Sequence, residues 1–220
     1  MHTDLPEAAA DRSVRLAPDI HAVRSGRDLI LLDLAADDYL CLPECGPLEV
    51  SGGVVRGPLD TLLRLAAEEL LAPDHAPASD RPAPPALPRT SLSLPDQVRL
   101  TPRDLATFAG IWLDAAGRRP TLETLAARMR GRRGRRDDPA AIAARVELFN
   151  RLLPLAPRTG ACLLQAELLL RFLNAADLDA DWVFGVRTWP FLAHCWLQIG
   201  DVCVSQAADT LTIYRPIMVI

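Results

Sequence analysis

Arg158-Thr-Gly-Ala-Cys-Leu-Leu-Gln-Ala-Glu-Leu-Leu-Leu-Arg-Phe-Leu173 is the stretch on which the reading of this chain turns. Its apolar residues recur at helical spacing. Pro154 and Pro157 keep the approach extended, so the helix is predicted to open at Cys162 and run to about Ala175. Beyond it the period changes to that of strands: Trp182–Arg187, Phe191–Ile199 and Val202–Gln206, with Gly200-Asp201 as a tight turn. Upstream the pattern is helical. Thr101-Pro-Arg-Asp104 offers a capping hydroxyl, a proline in the first turn and an acid for a helix to about Ala116. Thr121 can cap a second helix to about Met129, and Asp138-Pro139 can start a third to about Leu153. Helices followed by a small antiparallel sheet make an α+β domain, expected over 98–220.

The rest of the chain forms a second unit. Val14–Val23, Asp28–Leu34 and Tyr39–Leu42 read as a three-stranded meander, with Pro43–Pro47 and Ser51-Gly-Gly53 as loops. Gly57–Leu71 reads as an amphipathic helix with Leu59, Leu62, Leu63, Ala66 and Leu70 on its buried face. This unit is expected over 1–72. A proline-rich segment over 73–97, stiff and poor at packing, is expected to be a linker. Charge follows the same division. Residues 1–95 hold 15 acidic side chains against 8 arginines, and residues 96–220 hold 13 against 16. Two units with different partners are the simplest reading.

Half of the residues are hydrophobic and 24% are charged, enough for a packed core. The N-terminus is acidic and lacks an apolar h-region, and no stretch approaches the roughly 18 apolar residues of a membrane span. A cytoplasmic setting without membrane contact is expected, where the five cysteines stay reduced. Cys41 and Cys45 lack the further Cys or His pair of a zinc site, so no metal is expected. Six arginines crowd Arg128 to Arg136. No aromatic residue is interleaved for base stacking and Asp137-Asp138 follows, so a solvated loop is expected rather than a nucleic-acid site.

The chemistry centres on Cys162. A thiol in the first turn of a helix faces unpaired N–H groups and the positive end of the dipole, which favours the thiolate. A cysteine nucleophile needs a base, and His194 is the one histidine of the second unit. Strand alternation sets His194, Trp196 and Gln198 on one face and Cys195 on the other, which makes Cys195 a poor rival nucleophile. Cys203, mid-strand, has no helix terminus to activate it.

Arg-x3-Cys-Leu at the head of a Leu-rich helix, Gly185-Val-Arg187 on a strand, and Pro190-Phe-x2-His-x-Trp196 together resemble the leader-cleaving B proteins of lasso-peptide biosynthesis. The resemblance implies a transglutaminase-like, papain-related cysteine peptidase over 98–220. It also implies an N-terminal precursor-recognition element, a reduced winged-helix module, that grips a leader peptide by strand addition. Tyr39, Leu40 and Cys41 on the third strand and Leu63 on the helix would then contact the leader. An asparagine-synthetase-like cyclase is the implied partner. The joint system uses ATP, for which this chain carries no P-loop and no other cofactor motif.

The family's third catalytic residue is an Asp on the strand after the histidine; here Gln206 stands there. A Gln can orient imidazole through its carbonyl but adds no charge. A two-residue turn at Gly200-Asp201 would put Ser205, Ala207 and Asp209 on the His194 face, whereas a bulged turn would put Gln206 there. The family alignment favours Gln206, with Asp209 as the alternative. The expected enzyme is a cysteine endopeptidase: Cys162 attacks, His194 shuttles the proton, and Trp196 walls the substrate channel. A non-catalytic precursor-binding scaffold and a transglutaminase-like acyl transferase are the competing functions.

Overall fold

The computed structural model describes residues 12–73, 81–118, 120–130, 138–157 and 161–220, with Arg130 by its backbone only. It divides into two compact units that meet in sequence at Ala83 and Pro84.

Among its described residues the first unit contains six strands and one helix: β1 (Ser13–Arg15), β2 (Ile20–Ser25), β3 (Asp28–Asp33), β4 (Asp38–Leu42), β5 (Glu49–Ser51), β6 (Val54–Arg56) and α1 (Leu59–Ala67). The expected meander is β2-β3-β4 alone. Val14, expected in its first strand, instead pairs with Val55 in a second sheet of order β1-β6-β5. Ser51-Gly-Gly53, expected as loop, closes the β5–β6 hairpin, since Gly52 and Gly53 adopt the positive φ that the tight turn requires. Leu29 and Leu31 of β3 join Leu42, Val55, Leu62 and Leu65 in the core.

The buried face of α1 differs from the expected one. Thr61, Leu62 and Leu65 are buried, while Leu59, Leu63 and Ala66 stand exposed. Thr61 sets this rotation by donating its hydroxyl to the Cys45 carbonyl at 2.9 Å.

The second unit contains β7 (Thr90–Ser91), α2 (Pro102–Ala116), α3 (Leu122–Arg130), α4 (Pro139–Leu152), α5 (Cys162–Asn174), β8 (Asp181–Arg187), β9 (Leu192–Ile199), β10 (Val202–Cys203) and β11 (Arg215–Val219). The helix starts follow the sequence signals. Thr101 and Asp104 form a reciprocal capping box, and Asp138 accepts from the N–H groups of Ala140 and Ala141. Phe108 of α2, Phe149 of α4 and Phe172 of α5 meet with ring centroids 5.7–6.1 Å apart, joining three helices in one apolar centre.

The sheet has the order β11-β8-β9-β10-β7. Four strands are antiparallel, but β7 runs parallel to β10, so the sheet is mixed rather than purely antiparallel. That edge strand comes from within 73–97. The segment expected as a free linker is anchored where it is described: Arg81 donates to the Ile20 and Ala17 carbonyls in the first unit, and Thr90-Ser91 pairs in the sheet of the second. Proline bars a residue from a central strand but leaves the short proline-free Thr90-Ser91 competent for an edge.

Candidate active site

Cys162 is the first residue of α5. Ala161 before it has extended backbone and offers no side-chain cap, so the N–H groups of the first turn meet no capping oxygen there. Cys162 is partly buried, at the rim of a cavity of about 90 Å³ that His194, Cys195, Gln206, Asn150 and Gln165 also line.

His194 comes from β9, opposite Gly185 of β8. Its ring is held from behind by two aromatic rings: Trp196 at 6.4 Å and Tyr214 at 5.4 Å between centroids. A Cβ at Gly185 would stand 2.6 Å from the Trp196 ring, so the glycine is what lets this indole lie flat under the imidazole. Trp196 is fully buried and donates its indole N–H to Gln198 Oε1 at 2.7 Å. The expected channel wall is therefore a core residue that positions His194.

The third residue is decided by an unexpected backbone path. Gly200-Asp201 is a two-residue turn, with Val202 paired to Ile199 and Cys203 to Gln198. Continued regularly, that register would exclude Gln206. The strand instead stops at Cys203 and the chain bends through residues 204–206. Gln206 Oε1 then reaches His194 Nε2 at 2.7 Å. Asp209 lies exposed in a short 3-10 turn, where its backbone carbonyl serves Thr210–Thr212 geometry by accepting from the Thr212 hydroxyl.

Thr210, which carried no sequence signal, orders the hydrogen bonds. Its hydroxyl donates to the Ala207 carbonyl at 2.6 Å, and its oxygen accepts from Gln206 Nε2 at 3.0 Å. The amide nitrogen being engaged there, Gln206 turns its carbonyl to His194, which must donate from Nε2–H. The other ring nitrogen, Nδ1, is left for Cys162.

The same bend explains a second contact. Leu197 directs its N–H and C=O to Ser205 and Val204, so the N–H of Cys195, two residues back, points to the same edge. Cys162 occupies the gap. Cys195 donates both its thiol and its backbone N–H to the Cys162 sulfur, and His194 adds a third hydrogen bond and its charge. These effects outweigh partial burial and bring the Cys162 thiol down to about 4. The hydrogen bond to Cys162 raises His194 above its ordinary value, assisted by Gln206 and opposed by burial. Both shifts favour the charged forms, thiolate and imidazolium. Cys195 is driven strongly upward by the same contact and by burial. Strand parity sets Cys195 aside as a nucleophile and gives no sign of its contact with Cys162. The adjacency of a second thiol to His194 is the signal that was present.

The remaining candidates lie elsewhere. Leu40, partly buried on β4, packs against the core of the first unit. Tyr39 and Cys41 are partly buried on β4, which forms an edge of its sheet, and Leu63 is 59% exposed on α1. Of the arginine run, Arg128 points inward, 3.6 Å from the buried Glu167. Residues 131–137 lie outside the described residues, as do His75, Arg158 and Gly160. Among the described residues no three His, Cys, Asp or Glu side chains are grouped to hold a metal ion. No helix described is long and apolar enough to cross a membrane.

Comparison with known proteins gives the family. The transglutaminase-like superfamily matches residues 106–219, from α2 to the end of β11. The Microcin J25-processing protein McjB of Escherichia coli is 41% identical over 48 residues, 22% of this chain and 23% of that protein. The chain thus aligns with about a quarter of that relative's length. No solved structure matches. With its matched region covering just over half of the sequence and containing Cys162, His194 and Gln206, the chain belongs to the transglutaminase-like superfamily.

Proposed function

We propose that this chain is a cysteine endopeptidase that binds a ribosomal precursor peptide and removes its leader during lasso-peptide maturation. One observation carries the reading: the Cys162 thiolate, His194 and Gln206 stand in the order nucleophile, base and orienting amide. The similarity to a microcin-processing protein supports the substrate class.

The Cys162 sulfur attacks the scissile carbonyl carbon. The Cys162 backbone N–H, at the uncapped start of α5, receives the developing oxyanion. His194 gives its proton to the leaving amine, and the C–N bond breaks to leave a thioester. His194 then takes a proton from water, which attacks the thioester, frees the leader carboxylate and restores the thiolate. Gln206 keeps the imidazole in one tautomer and plane throughout. The first unit supplies the grip on the leader, through strand addition at the β4 edge beside Tyr39 and Cys41 and through the exposed Leu63. ATP is assigned to the partner cyclase.

The full chain is incubated with a candidate lasso precursor peptide, an asparagine-synthetase-like cyclase and ATP. Mass spectrometry is expected to find free leader, absent with Cys162→Ala. Cleavage that survives Cys162→Ala overturns the mechanism. Leader binding without cleavage identifies a scaffold, and an aminated or crosslinked product identifies acyl transfer. Leu63→Asp is expected to weaken leader binding about tenfold at unchanged thermal stability, as an exposed side chain contributes little to folding.

A further inference from the structure

The peptidase mechanism uses the thiol of Cys195 only as a hydrogen-bond donor to the nucleophile. This side chain is 4% exposed, yet it hydrogen-bonds the Cys162 sulfur directly. Both cysteines and His194 line the same cavity of about 90 Å³. Hydrogen peroxide, little larger than water, can enter such a cavity. A thiolate in reach of a small oxidant, with a second thiol at hydrogen-bond distance, is the arrangement of a reactive and a resolving cysteine.

We propose that Cys195 is the resolving thiol of Cys162: hydrogen peroxide oxidises Cys162, and the pair closes a reversible disulfide that switches the site off and spares it irreversible oxidation. The Cys162 thiolate attacks one peroxide oxygen and the O–O bond breaks. Cys162 becomes a sulfenic acid, and the departing hydroxide takes the His194 proton to become water. The Cys195 sulfur then attacks the Cys162 sulfur. The S–O bond breaks, and the leaving hydroxide takes the Cys195 thiol proton. Two thiols and one peroxide yield one disulfide and two waters.

Both cysteines line one cavity, Cys162 from the start of α5 and Cys195 from β9, so the two thiols are neighbours in the fold. The other cysteines serve as internal controls. Cys203 is buried with its thiol directed at the Leu197 carbonyl, and Cys45 is buried with its thiol directed at the Leu42 carbonyl.

The test needs no substrate, so it stands or falls apart from the peptidase reading. The reduced full chain is titrated with hydrogen peroxide, free thiols are blocked with N-ethylmaleimide, and the protein is digested with trypsin. Cleavage at Arg171 and Arg187 separates the Cys162 peptide from the one that holds Cys195 and Cys203. The expected product is a crosslink between these peptides, two hydrogens lighter, with fragment ions placing it at Cys195. Dithiothreitol is expected to remove it and restore alkylation of Cys162. In Cys195→Ser, dimedone is expected to trap the sulfenic acid. The fraction carried on to sulfinic acid, which dithiothreitol does not reverse, is expected to rise several-fold. Sulfinic acid forming as fast in the wild type as in Cys195→Ser, or a crosslink to Cys203 instead, would overturn the proposal; the wild-type crosslink decides it even if the variant misfolds.

Discussion

Gln206 Oε1 lies 2.7 Å from His194 Nε2 even though the hairpin joining their strands has a two-residue turn. The contact exists because the second strand ends at Cys203 and the chain bends toward the imidazole. The group that orients the histidine is thus a neutral amide.

Replacing that amide separates orientation from charge. Gln206→Ala removes a hydrogen bond to a charged ring, worth about 1.5–3 kcal/mol, so kcat/KM for leader release is expected to fall roughly 10- to 150-fold. Gln206→Asp keeps an acceptor and adds a negative charge. It is expected to raise His194 further and move the alkaline limb of the pH–rate profile upward. An unmoved limb would count against direct contact between the two side chains.

Thr210 is expected to act on the histidine through Gln206. Thr210→Val deletes the oxygen that holds Gln206 Nε2 and frees the amide to rotate. A loss of several-fold in kcat at nearly constant KM is expected, with Thr210→Ser restoring it. A Val variant that changes KM alone would place Thr210 at the substrate rather than behind Gln206.

The ionisation of Cys162 gives a pH window. Its value near 4 lies far below the ordinary 9.0, so the thiolate's contribution to stability is complete above the ordinary value and is lost as pH falls through about 4. His194 is raised above 6.5, so its contribution is complete below 6.5 and is lost as pH rises through its folded value. Iodoacetamide is expected to alkylate Cys162 readily at pH 6, where an ordinary thiol is ionised to only about one part in a thousand. His194→Ala is expected to slow that reaction at pH 6. Rates that climb only above pH 8 in the wild type would show an ordinary thiol.

Gly185 is expected to be intolerant of a methyl group. Gly185→Ala would set Cβ against two atoms of a fully buried indole, at 2.6 and 2.7 Å. An overpacking cost of about 1–3 kcal/mol is expected, read as a lowered Tm, together with reduced activity as the support of His194 shifts. Gly185→Ala/Trp196→Phe is expected to recover part of the stability, because the shorter ring vacates the space of the clashing atoms. A double variant no more stable than Gly185→Ala would show that the clash lies elsewhere.

Local chemistry sufficed wherever the deciding interaction spans a few residues. The Thr101 and Asp138 caps, the opening of α5 at Cys162, the two-residue turn at Gly200-Asp201 and the common face of His194, Trp196 and Gln198 were all legible in the sequence. Pairing between distant segments was not. The Val14–Val55 pair, the recruitment of Thr90-Ser91 to an edge and the rotation of α1 about Thr61 depend on partners tens of residues away. The site divides in the same way. Sequence identified Cys162 and His194 by residue type and helix position. The choice of Gln206 over Asp209 was decided by the bend after Cys203, and the burial of Trp196 by the space that Gly185 leaves for its ring. Side-chain alternation follows from residue order only while a strand stays regular; where it ends, packing of the surrounding helix and sheet sets which groups meet.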